Sequence, residues 1–221
     1  KAKKEQFAPL MLMKTQAIVL HAFKYGETRV IAELFTREAG RVAVIVGMPK
    51  TARGRMGKQL FQPMTQLDVQ IDLRQQRQLQ TLKDARISTP YTSVPFEPAK
   101  LSITLFVAEF LYHALRGEQR NEPLFDYISD SMQWLDAAPS AFANFHLTFL
   151  MRLSRFLGFY PNLNDAGDEC IFDLRSGCFS PSVPLHHDFL PPADARRISL
   201  TPAQKAVAPN TLGAAYEPLM L

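Results

Sequence analysis

The sequence has 221 residues, 47% of them hydrophobic and 21% charged. That balance excludes wholesale disorder and leaves room for one large domain or two small ones. The longest apolar stretches, such as Ala43–Gly47 and Leu105–Ala108, fall far short of the ~20 residues that a bilayer span requires. The net charge of +4 is uneven: residues 14–90 carry +7, residues 91–160 carry −2 and residues 161–221 carry −3. Such asymmetry fits either an anionic polymer bound by the first part or an ordinary solvated surface. Two cysteines cannot staple a chain of this size, and no basic-then-apolar leader opens it, so a soluble, intracellular, cytoplasmic protein is expected.

Period-2 alternation, the mark of strands with one buried face, runs from Thr15 to Ile87. Thr15–Phe23 is the first strand. Thr28–Phe35 and Arg41–Val46 flank Thr36-Arg37-Glu38-Ala39-Gly40, where Gly40 supplies the positive φ of a hairpin connection. Leu67, Val69, Ile71 and Leu73 alternate with Gln66, Asp68, Gln70 and Asp72, which predicts a fourth strand with a polar outer face. Leu79–Ile87 is the fifth. Five short strands are too few for an immunoglobulin sandwich and suit a small barrel, of the OB type or the SH3-like type.

The period changes after Pro90. Tyr91–Pro98, with two prolines directly after Pro90, reads as a linker. Ala99–Arg116 then predicts a helix whose inner stripe is Leu101, Leu105, Ala108, Tyr112 and Leu115, stopped by Gly117. Glu122–Ala137 predicts a second helix, with Leu124, Ile128, Met132 and Leu135 on one face. Ser140 is the expected N-cap of a third, carrying Phe142, Phe145, Phe149, Leu153, Phe156 and Leu157 and stopped by Gly158 and Pro161. Beyond it, Ile171–Phe172 and Cys178–Phe179 around Arg175-Ser176-Gly177 suggest a small hairpin. Phe189–Leu221 is rich in Pro and Ala without a sustained period, so loose packing is expected there.

Catalytic and metal-binding patterns are sparse. Seven residues separate Cys170 from Cys178, with His186 and His187 eight positions further on. A structural zinc site takes four ligands in closely spaced pairs, and neither CxxC nor HxxxH occurs. No metal or other cofactor is expected. GxSxG, HExxH, GxGxxG and the Walker A pattern are absent. Gly54-Arg55-Met56-Gly57-Lys58 ends in Gly-Lys but lacks the spacing and the hydroxyl residue of a phosphate loop. His113 and His146 fall inside helices with no carboxylate partner expected at helical spacing, and Asp68 and Asp72 read as solvated ion-pair partners of nearby Arg74 and Arg77. Nothing here asks for an enzyme.

The basic set does ask for an explanation. Lys24, Arg29, Arg37 and Arg41 punctuate the first three strands. Lys50, Arg53, Arg55 and Lys58 crowd one glycine-containing loop, and Arg74, Arg77, Lys83 and Arg86 follow. Each cation that neutralises a phosphate releases condensed counterions, giving salt-sensitive, sequence-independent affinity. OB-type barrels join such charge to aromatics on which bases stack. Phe23, Tyr25, Phe35 and Phe61 are the aromatics available. Phe35 reads as core, and Tyr25, in a turn between Lys24 and Gly26, reads as the better stacking residue. The nucleic-acid contacts expected are therefore Lys24, Tyr25, Arg29, Arg41, Lys50, Arg53, Arg55, Lys58, Arg74 and Arg77, with the loop cations as a clamp.

Ala17-Ile18-Val19-Leu20, Gly26-Glu27-Thr28, Leu34-Phe35-Thr36 and Gly40-Arg41 resemble the opening of the bacterial RecO family of recombination mediators. Lys50-Thr51-Ala52-Arg53, Leu60-Phe61-Gln62-Pro63 and Leu79-Gln80-Thr81-Leu82-Lys83-Asp84-Ala85 resemble its next segment, and Gly158-Phe159-Tyr160-Pro161 the helix end before its third region. The similarity runs roughly from Met13 to Cys178. It implies an α+β fold: an OB-type barrel over 1–90 with a short N-terminal extension, a helical domain over 91–160, a degenerate zinc-module-like hairpin region over 161–198 and a weakly structured tail over 199–221. The family's zinc module is reduced here to Cys170 and Cys178, so no metal is carried over. Its C-terminal helices are not recognisable in Ser199–Leu221.

The resemblance further implies non-specific binding of single- and double-stranded DNA, strand annealing in RecF-pathway repair, and help in loading RecA onto DNA coated by single-strand-binding protein. Partners would be the C-terminal tail of single-strand-binding protein and RecR, with a nucleoid-associated location and no membrane. An acidic tail needs an apolar pocket rimmed by cations, for which Arg116, Arg120, Arg152 and Arg155 are available. The alternatives are a protein–protein adaptor whose barrel binds no DNA and an RNA-binding barrel.

Overall fold

The computed structural model describes residues 11–47, 57–74 and 77–200. The chain divides into two compact units, Lys1–Ala137 and Ala138–Leu221.

In the first unit, β1 (Met11–Tyr25), β2 (Arg29–Thr36), β3 (Gly40–Gly47), β4 (Gln66–Leu73) and β5 (Leu79–Thr89) close into a barrel in the order β1-β2-β3-β5-β4. All neighbours are antiparallel except β3 and β5. β1 is long enough to pair with β2 through its second half and with β4 through its first, and this closes the cylinder. Strand order and closure are those of an OB barrel, which resolves the choice left open by strand count. The inward positions are small or branched, as a narrow interior demands: Ala17, Val19, Val30, Ala32, Leu34, Val42, Val44, Val46, Leu67, Val69 and Ile71 are all buried. Leu60 and Phe61, on a 3-10 turn (Lys58–Phe61), join the same core.

β1 and β2 lose register between Val19 and His21. At this bulge Val19 turns its backbone to the β4 approach, donating to the Thr65 carbonyl (3.0 Å) and accepting from the Met64 N–H (2.7 Å). The β2–β3 turn is shaped by Thr36, whose hydroxyl donates to the Gly40 carbonyl and accepts from the Ala39 N–H.

Two helices, α1 (Pro98–Ala114) and α2 (Glu122–Ala137), belong to the same unit and seal part of the barrel's outer wall. The residue side expected to be the polar exterior of β4 is buried at its ends. Gln66 donates to the Ser129 carbonyl and the Tyr91 hydroxyl (3.1 Å each) and accepts from the Ser129 hydroxyl, while Asp72 is covered and pairs with Lys83 at 3.0 Å. Phe35 leaves the barrel wall outward and meets Phe125 of α2, ring centroids 6.1 Å apart.

The expected stripe of α1 needs correction. Leu101 and Leu105 are exposed, Leu105 by 47%, whereas Lys100, Thr104, Val107, Ala108 and Leu111 face inward. A cation wins over two leucines because its ammonium is fully engaged. Lys100 Nζ donates to the Ser93 hydroxyl (2.7 Å) and the Asp136 carbonyl (3.0 Å), with Glu97 3.6 Å away. The stretch expected to be a linker is held by the same end of α2: the Asp136 carboxylate accepts from the Thr92, Ser93 and Val94 N–H groups (2.8 Å each) and the Thr92 hydroxyl. Burial alone would raise the Asp136 carboxyl, but these donors outweigh it and hold it below the usual carboxylate range.

In the second unit, α3 (Phe145–Phe156) starts four residues later than expected, because the backbone turns left-handed at Ala141 (φ 60°) and Asn144, not Ser140, occupies the cap position. Phe145 and Phe149 stack on its buried face at 5.8 Å. A small sheet of β6 (Ile171–Asp173), β7 (Cys178–Ser180) and β8 (Phe189–Leu190), in the order β7-β6-β8, includes the expected hairpin. The Pro- and Ala-rich region expected to be loose contains α4 (Pro192–Leu200). Pro192 stands at its first turn, where its missing N–H costs nothing, and Ala195 and Ile198 pack with Phe172 and Phe179. Among the described side chains of α4, two inward residues are too few to display a period.

Candidate nucleic-acid interface

The barrel wall has two kinds of outer surface, and register decides which residues share one. His21, Phe23 and Tyr25 alternate outward along the end of β1, opposite Glu33, Ile31 and Arg29 of β2. Ile31 and Glu33 in turn face Ile45 and Ala43 of β3. The result is a contiguous outward face of rings and aliphatic side chains on β1–β3. Phe23 is 44% exposed and Tyr25 53%, and Arg29 beside Tyr25 is exposed. Lys24 has the opposite parity, opposite Val30, and stands exposed at the barrel's rim. Of the four aromatics considered from the sequence, Phe35 and Phe61 are buried and Phe23 and Tyr25 remain open.

Lys24, Tyr25 and Arg29 are therefore brought together. Arg74 and Arg77 lie apart from that group. They follow β4, whose Leu73 pairs with Met11 at the opposite end of β1. Gln80 organises their backbone, accepting from the Arg74 N–H and donating to the Arg74 and Arg77 carbonyls. Arg41 turns its guanidinium inward: it pairs with Glu33 at 3.1 Å, donates to the Tyr112 carbonyl and lies 4.7 Å above the Tyr112 ring. Lys50, Arg53 and Arg55, and the side chain of Lys58, lie outside the described residues.

Gly40 shows why the β2–β3 turn belongs to the sealed side. Its φ is +67°, and a Cβ there would come within 2.4 Å of the backbone of Glu118 and Gln119. Arg41 N–H donates to the Glu118 carbonyl at the same junction (3.0 Å), and Arg37 reaches Asp126 (3.0 Å) and Gln16 (3.2 Å). The cations of this turn are used to hold helix to barrel.

The four tail candidates are divided between the two units. Arg116 lies 3.4 Å from His113, beside a shallow apolar cleft lined by Phe106, Glu109, Phe110, His113 and Ala114. Contrary to expectation, His113 does have a carboxylate partner at helical spacing, Glu109, at 2.9 Å. Arg120 pairs with Glu122, and each shifts the other toward its charged form. Arg152 and Arg155 fall in the second unit, where Arg155 stacks on Tyr160 at 4.3 Å. There, Cys170 and Cys178 are free thiols. Among the described residues no three His, Cys, Asp or Glu side chains converge as a metal site would require, so the donor set does not fit the four-thiolate zinc module of the resemblance. No described helix is long and apolar enough to cross a membrane.

A closed five-stranded barrel with an open ring-bearing face, joined to a helical pair, defines an OB-barrel protein. Residues 11–91 match the family described as Recombination protein O N terminal, and residues 95–216 the family described as Recombination protein O C terminal. The chain is 45% identical over 190 residues to the DNA repair protein RecO of Phocaeicola vulgatus, covering 86% of this chain and 79% of that one. It is 45% identical over 191 residues to that of Bacteroides fragilis (85% and 78%), and 33% identical over 172 residues to that of Flavobacterium psychrophilum (77% and 71%). The chain belongs to the RecO family, and its role is in DNA repair and recombination. The match through residue 216 also extends the likeness beyond Cys178, into the stretch where no family pattern was recognised.

Proposed function

We propose that this protein is a recombination mediator that binds single- and double-stranded DNA without sequence preference, anneals complementary strands and helps load RecA onto DNA coated by single-strand-binding protein. The observation that carries the reading is the exposed group Lys24, Tyr25 and Arg29 at one end of a barrel whose family is that of DNA repair proteins. Annealing requires strands held by their backbones with bases free to pair, which a cationic, sequence-blind surface does. Lys50, Arg53, Arg55 and Lys58 act as the clamp, and Arg74 and Arg77 contact the polymer further along its path. The shallow cleft beside Arg116 takes the acidic C-terminal tail of single-strand-binding protein, its aromatic groups against Phe106 and Phe110 and its carboxylates toward Arg116. RecR is the remaining partner, and the setting is the nucleoid.

Fluorescence anisotropy of a labelled oligonucleotide across a salt series tests the reading. Affinity falls steeply with salt, and replacing Lys50, Arg53, Arg55 and Lys58 by Ala reduces the slope by up to ~3, at about 0.7 for each single-strand phosphate that is no longer neutralised. Absence of binding at low salt overturns the DNA reading and leaves the adaptor.

A further inference from the structure

We infer that the open outer face of β1–β3 is a stacking surface for unpaired bases, built on Phe23 and Tyr25 and buttressed from α1 by Tyr112. This rests on the DNA-binding reading and adds to it a selectivity for single strands. The rings form a ladder. The Arg41 guanidinium lies 4.7 Å above the Tyr112 ring, Tyr112 is 4.8 Å from His21, and His21 is 6.0 Å from Phe23, the ring pairs tilted by 36° and 39°. His21 Nδ1 is buried without a hydrogen-bond partner among the described residues, so the imidazole serves here as a packed ring. The sealed end of the ladder is anchored by Arg41 to Glu33 and to the Tyr112 carbonyl; the open end presents Phe23 and Tyr25 to solvent. Arg41, expected to meet phosphate, is a positioning residue for this surface.

Geometry selects the occupant. Phe23 and Tyr25 are two residues apart on one strand, about 6.6–6.8 Å along its axis. Stacked bases in B-DNA rise 3.4 Å per step on each strand. Two successive bases meet these two rings only when a strand is stretched to about twice its duplex rise, and a paired base has both its faces already covered. Unpaired bases alone offer a free π-face, and any of the four does so, in keeping with sequence-independent binding. Charge matches: Arg29 is exposed directly opposite Tyr25, and Lys24 is exposed between the two ring-bearing positions, with Glu27 the one acidic residue in the intervening turn.

The test uses the full chain with a labelled single-stranded oligonucleotide and the duplex of the same sequence. The variants are Phe23→Ala/Tyr25→Ala and the conservative Phe23→Tyr/Tyr25→Phe, each checked for folding by circular dichroism and denaturation midpoint. Each stacked base is worth roughly five- to hundredfold in affinity. The Ala pair therefore weakens single-strand binding tenfold or more, leaves duplex binding within twofold and leaves the salt slope unchanged, whereas the conservative pair retains wild-type affinity. Quenching of 2-aminopurine in the oligonucleotide on binding, present with the wild type, disappears in the Ala pair. Unchanged single-strand affinity in a folded Ala pair overturns the inference while the DNA-binding reading stands, as does equal weakening for strand and duplex. A wild type that binds neither overturns both.

Discussion

Phe35 and Phe23 occupy neighbouring strands of one barrel, and both side chains leave its wall on the outer side, yet they have opposite fates. Phe35 is fully buried because α2 brings Phe125 against it; Phe23 is open because Tyr112 of α1 packs on the adjoining His21 and leaves Phe23 to solvent. The sealed region is rich in directed polar contacts: Gln66 to Ser129, Arg37 to Asp126, Arg41 to the Tyr112 carbonyl, Asp136 to three successive N–H groups. On the open region the rings and cations face solvent. A barrel interior is filled by its own strands, so function and stability are apportioned by which part of the exterior a helix reaches.

The largest expected effect breaks this comparison at its centre. Phe35→Ala removes a buried ring and should cost about 3–5 kcal/mol of stability, while Phe23→Ala should stay within about 0.5 kcal/mol, as exposed sites do. Urea denaturation of the two variants measures both, and similar losses would mean that the open face is covered in solution. Next, Gly40→Ala forces a β-carbon into the α1–α2 turn at a positive φ and should cost about 3 kcal/mol, with the strain and the clash both contributing. A loss no greater than that of Gly26→Ala, which has the same φ but open space, would show that the close approach carries no weight.

The smallest effect concerns pH. The Asp136 carboxyl is held below its ordinary value by the N–H groups it caps, so its contribution to stability is present above the unfolded carboxylate pKa of about 3.9 and is lost as pH falls through the lower folded value. Asp136→Asn should cost about 1–2 kcal/mol at neutral pH, as loss of a charged cap does. It should also flatten the acid limb of the stability profile, read from denaturation midpoints between pH 7 and pH 3. An acid limb identical to wild type would remove Asp136 from this role.

Much of the barrel was legible because strand alternation is local. The run Leu67, Val69, Ile71 points inward as read, and Gly40 takes the positive φ that its turn required. Tyr25 was legible as an open aromatic from its position beside Lys24 and a turn. Phe23 was visible as an aromatic, but its sharing an outer face with Tyr25 and His21 depends on register beyond the bulge. Tyr112 carried no signal: its helical stripe was read with Leu101 and Leu105, which lie exposed. The inner position of Lys100 could not be anticipated, since a buried ammonium is tolerated only where acceptors converge, and Ser93, from the preceding irregular stretch, meets the Asp136 carbonyl from the far end of α2 only in the folded chain.

The sequence by itself determined the elements whose causes are short-ranged: five alternating strands, the helices read from residues 99–116 and 122–137, the Gly-containing turns and the concentration of positive charge in residues 14–90. Several motifs agreeing in order also carried the family. Only the tertiary structure decided the closure of the barrel through both halves of β1, the burial of Lys100 and Gln66, the inward turn of Arg41 and the exposure of Phe23. The reason is physical: alternation and propensity fix which way a side chain leaves its own backbone. Whether water or another element meets it there is settled by contacts between segments far apart in the chain.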